Sequence, residues 1–393
     1  MEIIIAKEKI KSLQQRHPWI FERSIKTVKG TPENGSVVRV LDEEGQAYGW
    51  ASFSAHSAIR ARVLSWNPQI TIDAQWIHDQ LSQAIKHRET MLDDKNNACR
   101  LVHGESDFFP GLIVDRYADQ LVAQFLTSGS EFWKKEITDA LIQISGVKNV
   151  YERSDVDVRK LEGLQPVKGV LAGSKPEKYI RILEHGLAFD VDVANGQKTG
   201  FFLDQRNNRK RIQTYTQGKR VLNAFCYSGG FTAYALQAGA EQVISIDSSA
   251  DAIELGRNNM RINALADQEA DWITGDVFHY LRRCRDSREQ FDVIILDPPK
   301  FAPTIHQVQQ AARGYKDINL LAFKLLKPGG TLFSFSCSGG VDKVLFRKIL
   351  AGAAADAKVD VQILGSMEQS QDHPVGLAFP EGAYLKGLIC RVI

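Results

Sequence analysis

The fold of this chain is decided by the stretch Asn223-Ala224-Phe225-Cys226-Tyr227-Ser228-Gly229-Gly230-Phe231-Thr232. It follows a short apolar run and precedes a helical pattern, so it predicts a strand, a tight turn and a helix. The paired glycines allow the backbone to pass close to a ligand. Their spacing matches neither the GxGxxG of dinucleotide sites nor a P-loop, which favours a ligand without a pyrophosphate.

The same alternation continues through the rest of the sequence. Apolar strands are predicted at 220–225, 242–247, 271–275, 291–297, 331–335 and 359–364, with helical patterns between them. This order is typical of an α/β fold, a mostly parallel sheet with helices on both faces. A last strand at 384–392 has no helix after it, and we expect it to be antiparallel.

Two regions with different patterns precede this α/β part. Residues 1–70 contain short alternating segments separated by glycines, which predicts a small β-barrel. Residues 71–184 combine helical and strand patterns and predict a small α+β domain. The α/β domain is assigned to residues 185–393, because 393 residues are too many for one domain of ordinary size.

Composition excludes several classes of protein. The net charge is only +2, so a nucleic-acid partner has to be argued from local patches. No apolar run approaches the roughly 20 residues of a membrane helix and no signal peptide is evident, so we expect a cytoplasmic protein. The five cysteines are scattered and form no CxxC pair, which argues against a disulfide framework and against a metal site.

Acidic residues stand where the predicted strands end, at the edge where such sheets bind ligands. Asp247 closes the second strand as a candidate acceptor for ribose hydroxyls, and Asp276 follows the third as a candidate partner for an adenine amino group. Either residue could instead cap a helix. Asp297 closes the fourth strand, and Pro298 and Pro299 rigidify the exit that presents it to the cleft.

Cys337 follows the fifth predicted strand, on the same rim as Asp297. A helix is expected to come next, and a thiol near a helix N-terminus has a lowered pKa. Cys337 is therefore the candidate nucleophile. Cys226 is also on the rim, where we expect it to pack against the ligand, whereas Cys284 and Cys390 are expected to be packing residues.

In this order the motifs resemble those of class I S-adenosylmethionine-dependent methyltransferases, which have a Rossmann-like fold. Further stretches are similar to the bacterial 23S ribosomal RNA large subunit methyltransferase I family, namely 17–21, 104–116, 197–206, 313–319 and 379–387. The resemblance implies an N-terminal PUA RNA-binding domain, S-adenosylmethionine as the cofactor, 23S ribosomal RNA as the partner and 5-methylcytosine as the product. A homodimer is left open.

The resemblance also implies roles for individual residues. Cys337 would add to carbon 6 of cytosine, and Asp297 would contact the base near N3. The predicted cofactor-binding residues are Lys198, Gln205, Asn223, Phe225, Tyr227, Ser228, Gly229, Asp247, Ser248, Asp276 and Asp297. The predicted substrate-binding residues are Arg60, Arg62, Arg206 and Lys300.

One feature departs from many 5-methylcytosine enzymes, which carry a second cysteine after the fourth strand. Here Pro299 is followed by Lys300. The base that removes the carbon 5 proton is therefore unassigned, with Asp204 and Lys300 as candidates.

Other functions remain open at this point. Asp297-Pro298-Pro299 would also suit methylation of an exocyclic amine of adenine or guanine, which needs no cysteine. A non-catalytic RNA-binding assembly factor would explain the N-terminal region equally well, and a small molecule or a protein is a third class of substrate. Arg60 and Arg62 lie two apart on one strand, which fits a solvated face as well as a phosphate-contacting surface.

Overall fold

The computed structural model describes residues 1–265, 270–301 and 307–393. Contacts between residues divide the chain into two units. Unit 1 comprises Met1–Gly186, Val191–Leu203 and Gln371–Gly382, and unit 2 comprises Leu187–Asp190, Asp204–Ser370 and Ala383–Ile393. None of the helices in the described ranges is long and apolar enough to cross a membrane. The division at residues 70 and 184 stays a prediction.

Unit 1 begins with a six-stranded sheet. Its strands are β1 (Glu2–Ile5), β2 (Trp19–Phe21), β3 (Ile25–Lys29), β4 (Val37–Asp42), β5 (Ala47–Phe53) and β6 (Ile59–Ser65), with a short helix α1 (Lys11–Gln14). The spatial order is β2-β6-β5-β4-β1-β3, and every pairing is antiparallel except that of β1 with β4. Alternate residues such as Ile3, Val38 and Val40 are buried in its core, as the period of a half-buried strand requires.

A five-stranded sheet with helices forms the rest of unit 1. The elements are α2 (Ala74–Lys86), β7 (Ala98–His103), β8 (Leu112–Tyr117), β9 (Gln120–Phe125), α3 (Ser128–Phe132), α4 (Lys134–Ser145), β10 (Asn149–Ser154) and β11 (Val167–Ala172), followed by β12 (Ile180–Glu184). The strands lie in the order β11-β10-β9-β8-β7. Helix α2 starts where Asp73 accepts a hydrogen bond from the Trp76 amide, and it buries Ile77 and Leu81, which are one turn apart.

Unit 2 is built on a seven-stranded sheet. Its strands are β14 (Arg220–Ala224), β15 (Gln242–Asp247), β16 (Ala270–Thr274), β17 (Phe291–Leu296), β18 (Leu326–Ser336), β19 (Val361–Met367) and β20 (Lys386–Val392), while β13 (Leu187–Val191) precedes them. The helices are α5 (Arg206–Thr216), α6 (Gly230–Gln237), α7 (Ala250–Ile262), α8 (Val277–Asp286), α9 (Val308–Leu325) and α10 (Lys343–Ala357). Leu222, Ile244, Ile294 and Leu332 from adjacent strands form the centre of the core.

The predicted α/β class is confirmed by the order and directions of these strands. The order is β16-β15-β14-β17-β18-β20-β19, the first five strands are parallel, and β20 is antiparallel to both of its neighbours. Strands β14 to β17 begin and end within one residue of the predicted bounds. Strand β18 begins five residues earlier than predicted, because pairing extends across an irregularity to Leu326 although Gly329 and Gly330 are typical of a turn.

The chain changes direction across the sheet between β14 and β17. Strands β15 and β16 extend from β14 to one side, whereas β17 and β18 extend to the other. Ligands of open α/β sheets bind at such a switch point, beyond the carboxyl ends of the strands. The loops after β14 and β17 are therefore where the site is expected.

Candidate active site

The loops after β14 and β17 start side by side. Ala224 pairs with Leu296 in the parallel ladder, and the Asp297 amide lies 3.4 Å from the carbonyl oxygen of Ala224. The glycine-rich loop and Asp297 therefore emerge from adjacent strands at the ligand edge.

The loop after β14 has an unusual backbone. Phe225 and Tyr227 have φ values of +61° and +47°, and Gly229 has +76°. A Cβ on Gly229 would lie 2.5 Å from the Trp272 ring, and one on Gly256 would lie 2.4 Å from the same ring. The loop is thus packed against Trp272, which was not among the predicted site residues, and this packing requires glycine at position 229.

Asp247 ties this loop to β15. Its Oδ2 accepts a hydrogen bond from the Tyr227 amide over 2.9 Å, and its Oδ1 accepts one from the Ser249 amide over 2.9 Å. Ser249, not Asp247, caps helix α7. A carboxylate can accept about four hydrogen bonds, so Asp247 keeps acceptor capacity for a ligand. Ser248, the next residue, is exposed.

Asp276 has the capping role that the sequence left open. It is exposed and is the N-cap of α8, with Oδ1 accepting a hydrogen bond from the His279 amide over 2.8 Å. The second oxygen of its carboxylate leaves room for a further donor.

Two predicted cofactor residues are buried beneath the loop. Asn223 is fully buried and donates from Nδ2 to Thr232 Oγ1 over 2.9 Å, and Thr232 in turn contacts Ser245 over 2.7 Å. Ser228 is 1% exposed, and its carbonyl accepts a hydrogen bond from Asn259. These contacts indicate that Asn223 and Ser228 support the loop from within the unit.

Three aromatic rings line the same strand ends. Phe225 lies 6.5 Å from Phe278 and 6.4 Å from Phe301 between ring centroids, and Phe278 lies 5.9 Å from Phe301. All three rings are partly buried. Neither Phe278 nor Phe301 was among the predicted site residues, although Phe278 follows Asp276 by two positions and Phe301 follows Lys300.

Asp297 is oriented by a chain of amides. Gln205 donates from Nε2 to Asp297 Oδ2 over 2.9 Å, and Asn208 donates from Nδ2 to Gln205 Oε1 over 2.7 Å. Gln205 and Asn208 are buried. Gln205, predicted to bind the cofactor, thus contacts Asp297 directly.

Cys337 is half-buried, whereas the other four cysteines, Cys99, Cys226, Cys284 and Cys390, are buried. Its Sγ lies 4.0 Å from the carbonyl oxygen of Pro298. Burial raises the pKa of Cys226 well above its ordinary value, with a further contribution from Asp247, and raises that of Cys390 to about 12. These two thiols are therefore held protonated, in agreement with packing roles.

The expected helix after Cys337 begins later than the sequence suggested. Helix α10 starts at Lys343 with Asp342 as its N-cap, so residues 338–342 separate Cys337 from its first turn. The influence of the helix dipole falls off within that turn. The prediction that a helix N-terminus directly activates this thiol is not supported, and another source of positive charge has to be sought.

The predicted substrate-binding residues of unit 2 differ in exposure. Lys300 is exposed, whereas Arg206, the first residue of α5, is only 4% exposed. Asp204 is also buried, and its Oδ2 accepts a hydrogen bond from the Tyr384 hydroxyl over 2.6 Å. The geometry thus supports a surface role for Lys300 and an internal one for Arg206.

The remaining predicted residues belong to unit 1. Lys198 is exposed, with its ammonium 4.5 Å from the centroid of the Phe202 ring. Arg60 contacts the exposed carboxylate of Glu22. Arg62 is 7% exposed and forms an ion pair with Glu162 over 2.9 Å. The interpretation of Arg60 and Arg62 as one phosphate-contacting face is therefore corrected for Arg62, whose guanidinium is engaged inside the unit.

No cluster of side chains that could hold a metal ion occurs among the described residues.

Comparisons with known proteins agree with the geometry of the strand ends. A family model described as S-adenosylmethionine-dependent methyltransferase matches residues 167–374, and a model of a PUA-like domain matches residues 3–66.

Relatives match over nearly the whole chain. The ribosomal RNA large subunit methyltransferase I of Aeromonas hydrophila is 46% identical over 391 residues, which are 99% of this chain and 98% of the relative. The enzyme of the same name from Tolumonas auensis is 47% identical over 393 residues, covering 100% of this chain and 99% of the relative. The chain belongs to the ribosomal RNA large subunit methyltransferase I family.

Solved structures support the fold of this ribosomal RNA large subunit methyltransferase I family member. A candidate SAM-dependent methyltransferase from Streptococcus mutans is 21% identical, with a TM-score of 0.86 over 100% of both chains. Another candidate methyltransferase, solved in complex with SAH, has a TM-score of 0.87 at 21% identity over 100% of both chains. The predicted fold class, PUA-like region and cofactor are confirmed: this is an S-adenosylmethionine-dependent methyltransferase.

The residues at the strand ends suit this cofactor. The partly buried rings of Phe225, Phe278 and Phe301 offer an apolar surface to an adenine, and Asp247 retains acceptor capacity for ribose hydroxyls. The left-handed turn at Gly229 lets this loop pack against Trp272 and so fixes the backbone at the strand ends.

Proposed function

We propose that this chain methylates carbon 5 of a cytosine in 23S ribosomal RNA through a covalent adduct with Cys337. The observation that carries the proposal is the position of this thiol. Cys337 is half-buried, whereas the other four cysteines are buried. Its Sγ lies 4.0 Å from the carbonyl oxygen of Pro298, the residue after Asp297. A thiol and a carboxylate at one rim are the groups that cytosine-5 chemistry needs.

The chemistry follows from the electronic structure of cytosine, whose carbon 5 is a weak nucleophile. Addition of the Cys337 thiolate to carbon 6 makes carbon 5 enamine-like, so that it can accept a methyl group. Loss of the carbon 5 proton then re-forms the double bond and expels the thiolate. Covalent catalysis of this kind divides one difficult step into easier ones. S-adenosylmethionine, when bound, supplies the methyl group from its sulfonium.

Asp297 is proposed to hold the base edge near N3 while the thiol adds. The carboxylate is fixed by Gln205, which is itself fixed by Asn208. A base held in one orientation presents carbon 6 to the thiol at a constant angle, which lowers the entropic cost of the addition.

The cofactor is proposed to lie against Phe225, Tyr227 and Gly229, with Asp247 accepting hydrogen bonds from the ribose. Asp276 is proposed to accept a hydrogen bond from the adenine amino group with the oxygen that does not cap α8. Asn223, Ser228 and Gln205 support these contacts from beneath, as their burial indicates.

RNA is proposed as the substrate class because the relatives are named for ribosomal RNA and the first residues match a PUA-like domain. The target base has to leave its stack to reach the rim, so a single-stranded or loosely paired segment is expected. Exposed Lys300 is a proposed substrate contact, exposed Lys198 remains a proposed cofactor contact, and we expect the reaction to take place in the cytoplasm.

For removal of the carbon 5 proton we favour Lys300 over Asp204. Lys300 is exposed three residues after Asp297, whereas the Asp204 carboxylate is buried and hydrogen-bonded to Tyr384.

Methylation of an exocyclic amine is the second candidate, because Asp297-Pro298-Pro299 would also suit it. The two reactions differ in their need for a thiol. Purified protein is incubated with 23S RNA from a strain deleted for the gene and with methyl-labelled S-adenosylmethionine. We expect Cys337→Ala to abolish label transfer, and retention of transfer would exclude the covalent mechanism.

Cys284→Ala is the matched control, since Cys284 is a buried packing residue on α8. RNA containing 5-fluorocytosine cannot lose its carbon 5 substituent as a proton, so the adduct should accumulate with the parent chain and not with Cys337→Ala. Bisulfite sequencing of 23S RNA with and without the gene then identifies the cytosine; no change at any position would refute the substrate.

A further inference from the structure

Lys386, the first residue of β20, is a buried lysine beside the candidate nucleophile. Its side chain is 5% exposed, although lysine is almost never buried without a partner. Its Cα is paired with that of Ser336, the residue before Cys337. Its Nζ donates to the carbonyl oxygen of Ser338, the residue after Cys337, over 2.8 Å. Lys386 thus holds the backbone on both sides of the thiol.

The packing around Lys386 is close. Gly387 follows it, and a Cβ there would lie 2.7 Å from the Phe335 ring, so glycine lets β20 approach β18. From α9, the Tyr315 hydroxyl lies 3.0 Å from Ser338 Oγ, and both residues are fully buried. The segment that carries Cys337 is therefore fixed from two elements, β20 and α9.

We propose that Lys386 is the positioning residue that holds Cys337 and supplies the positive charge that stabilises its thiolate. An ammonium beside a thiol favours the thiolate. The inference rests on the proposed function, because the covalent mechanism is the step that uses the thiolate. It also gives a role to the stretch 379–387, which the catalytic proposal leaves without one.

The charges that face Lys386 support an ammonium in the neutral pH range. Burial lowers the pKa of Lys386 to about 8, and Lys300 and Lys343 add to the lowering. Cys337 and Asp342 act in the opposite direction. Burial raises the pKa of Tyr315, so that hydroxyl stays neutral. Because the pKa of Lys386 is lowered, its charge is present below about pH 8 and is lost above it.

The test measures the thiol without RNA or cofactor. The native full chain is alkylated with iodoacetamide at pH 5 to 10, and the rate at Cys337 is followed by peptide mass spectrometry. The other four cysteines are buried, which restricts the reaction to Cys337. We expect the parent thiol to titrate below the ordinary value of about 8.5. Titration at or above that value would overturn the proposal.

Variants separate the charge from the hydrogen bond. Lys386→Met removes both, and we expect alkylation at pH 7 to slow about tenfold, equivalent to about one pKa unit. Lys386→Gln keeps a donor for Ser338 and should slow the reaction equally, whereas Lys386→Arg should restore part of the rate. Lys348→Met is the control, because Lys348 is an exposed lysine on α10, the helix that follows this segment.

Circular dichroism and thermal unfolding establish that each variant is folded. If Lys386→Met does not fold, two other measurements test the role of the Lys386 charge. They are the alkylation rates of Lys386→Gln and Lys386→Arg and the titration of the Cys337 thiol in the parent chain. Equal pH profiles for the parent and a folded neutral variant would overturn the proposal. That outcome is distinct from failure of the proposed function, which would appear as methyl transfer by Cys337→Ala.

Discussion

Gln205 donates a hydrogen bond from Nε2 to Oδ2 of Asp297 over 2.9 Å. The bond joins the residue just before helix α5 to the residue just after strand β17, which are 92 positions apart in the chain. Asp297 thereby has a fixed orientation at the switch point of the sheet.

Gln205→Ala should therefore lower the rate of methyl transfer more than it weakens cofactor binding. A hydrogen bond to a charged group contributes about 1.5–3 kcal/mol, which corresponds to a decrease of roughly 10- to 100-fold in kcat. Steady-state kinetics with methyl-labelled cofactor and calorimetric binding measure the two effects. Asn207→Ala is the control, since Asn207 is exposed on the same helix. A large loss of cofactor affinity with normal kcat would instead support direct contact between Gln205 and the cofactor.

Gly229→Ala should destabilise the loop after β14. Two costs combine at this position: a φ of +76° and a Cβ that would lie 2.5 Å from the Trp272 ring. Gly239→Ala is a control that isolates the first cost, because Gly239 has a φ of +82° and its Cβ would be 3.9 Å from the nearest atom. We expect Gly229→Ala to lose about 1–3 kcal/mol more than the control in urea unfolding, and to bind the cofactor more weakly. Equal losses of unfolding free energy in the two variants would mean that the Trp272 ring moves to accommodate the Cβ at little cost.

Asp276 has two proposed tasks, and two substitutions separate them. Asn caps helices as well as Asp does, so Asp276→Asn should keep the free energy of unfolding while weakening cofactor binding several-fold. Asp276→Ala should show the same weakening and also lose about 1 kcal/mol of stability. If Asp276→Asn binds the cofactor normally, Asp276 caps helix α8 and its charge makes no contribution to cofactor binding.

Arg62 should contribute to stability rather than to RNA affinity. Removing one partner of a buried ion pair costs about 3–5 kcal/mol, so Arg62→Met should greatly lower the free energy of unfolding. Arg60→Met should cost less than about 1 kcal/mol, because its partner Glu22 is exposed. RNA binding by folded Arg62→Met in filter assays should match that of the parent chain; a selective loss would restore its predicted role.

The same ion pair predicts a pH dependence. Burial alone would raise the pKa of Glu162, but Arg62 and hydrogen bonds from Ser57 and Ser128 outweigh it, and the pKa is lowered from 4.5. A carboxylate with a lowered pKa contributes stability above its unfolded value and loses it as the pH falls. The parent chain should therefore lose stability below about pH 4.5, and Arg62→Met should lose less over that interval. Urea unfolding at pH 3 to 7 measures both.

Much of the fold was accessible from the sequence because parallel strands are buried on both faces and appear as short apolar runs. Strands β14 to β17 are found within one residue of their predicted bounds, and the antiparallel β20 was expected. Asp247 and Asp297 were placed at the correct edge for the same reason, since a residue that ends a parallel strand lies at the ligand edge.

The side-chain environment could not be predicted in the same way. Arg62 lies on a strand whose pattern allowed solvent on one face, yet its side chain is buried and pairs with Glu105 and with Glu162, 100 positions later. The bond between Gln205 and Asp297 and the position of Lys386 beside Cys337 also join residues far apart in the chain. No local periodicity encodes such contacts, because they depend on which strands become neighbours.

Strand β20 lies between β18 and β19, although both of those are synthesised before it. Pairing of β18 and β19 through β20 therefore has to wait until residues 386–392 have left the ribosome. Lys386 can contact the Cys337 segment only after that step. The contact proposed to activate Cys337 would thus form late in biosynthesis, and a nascent chain that ends before β20 would still lack Lys386.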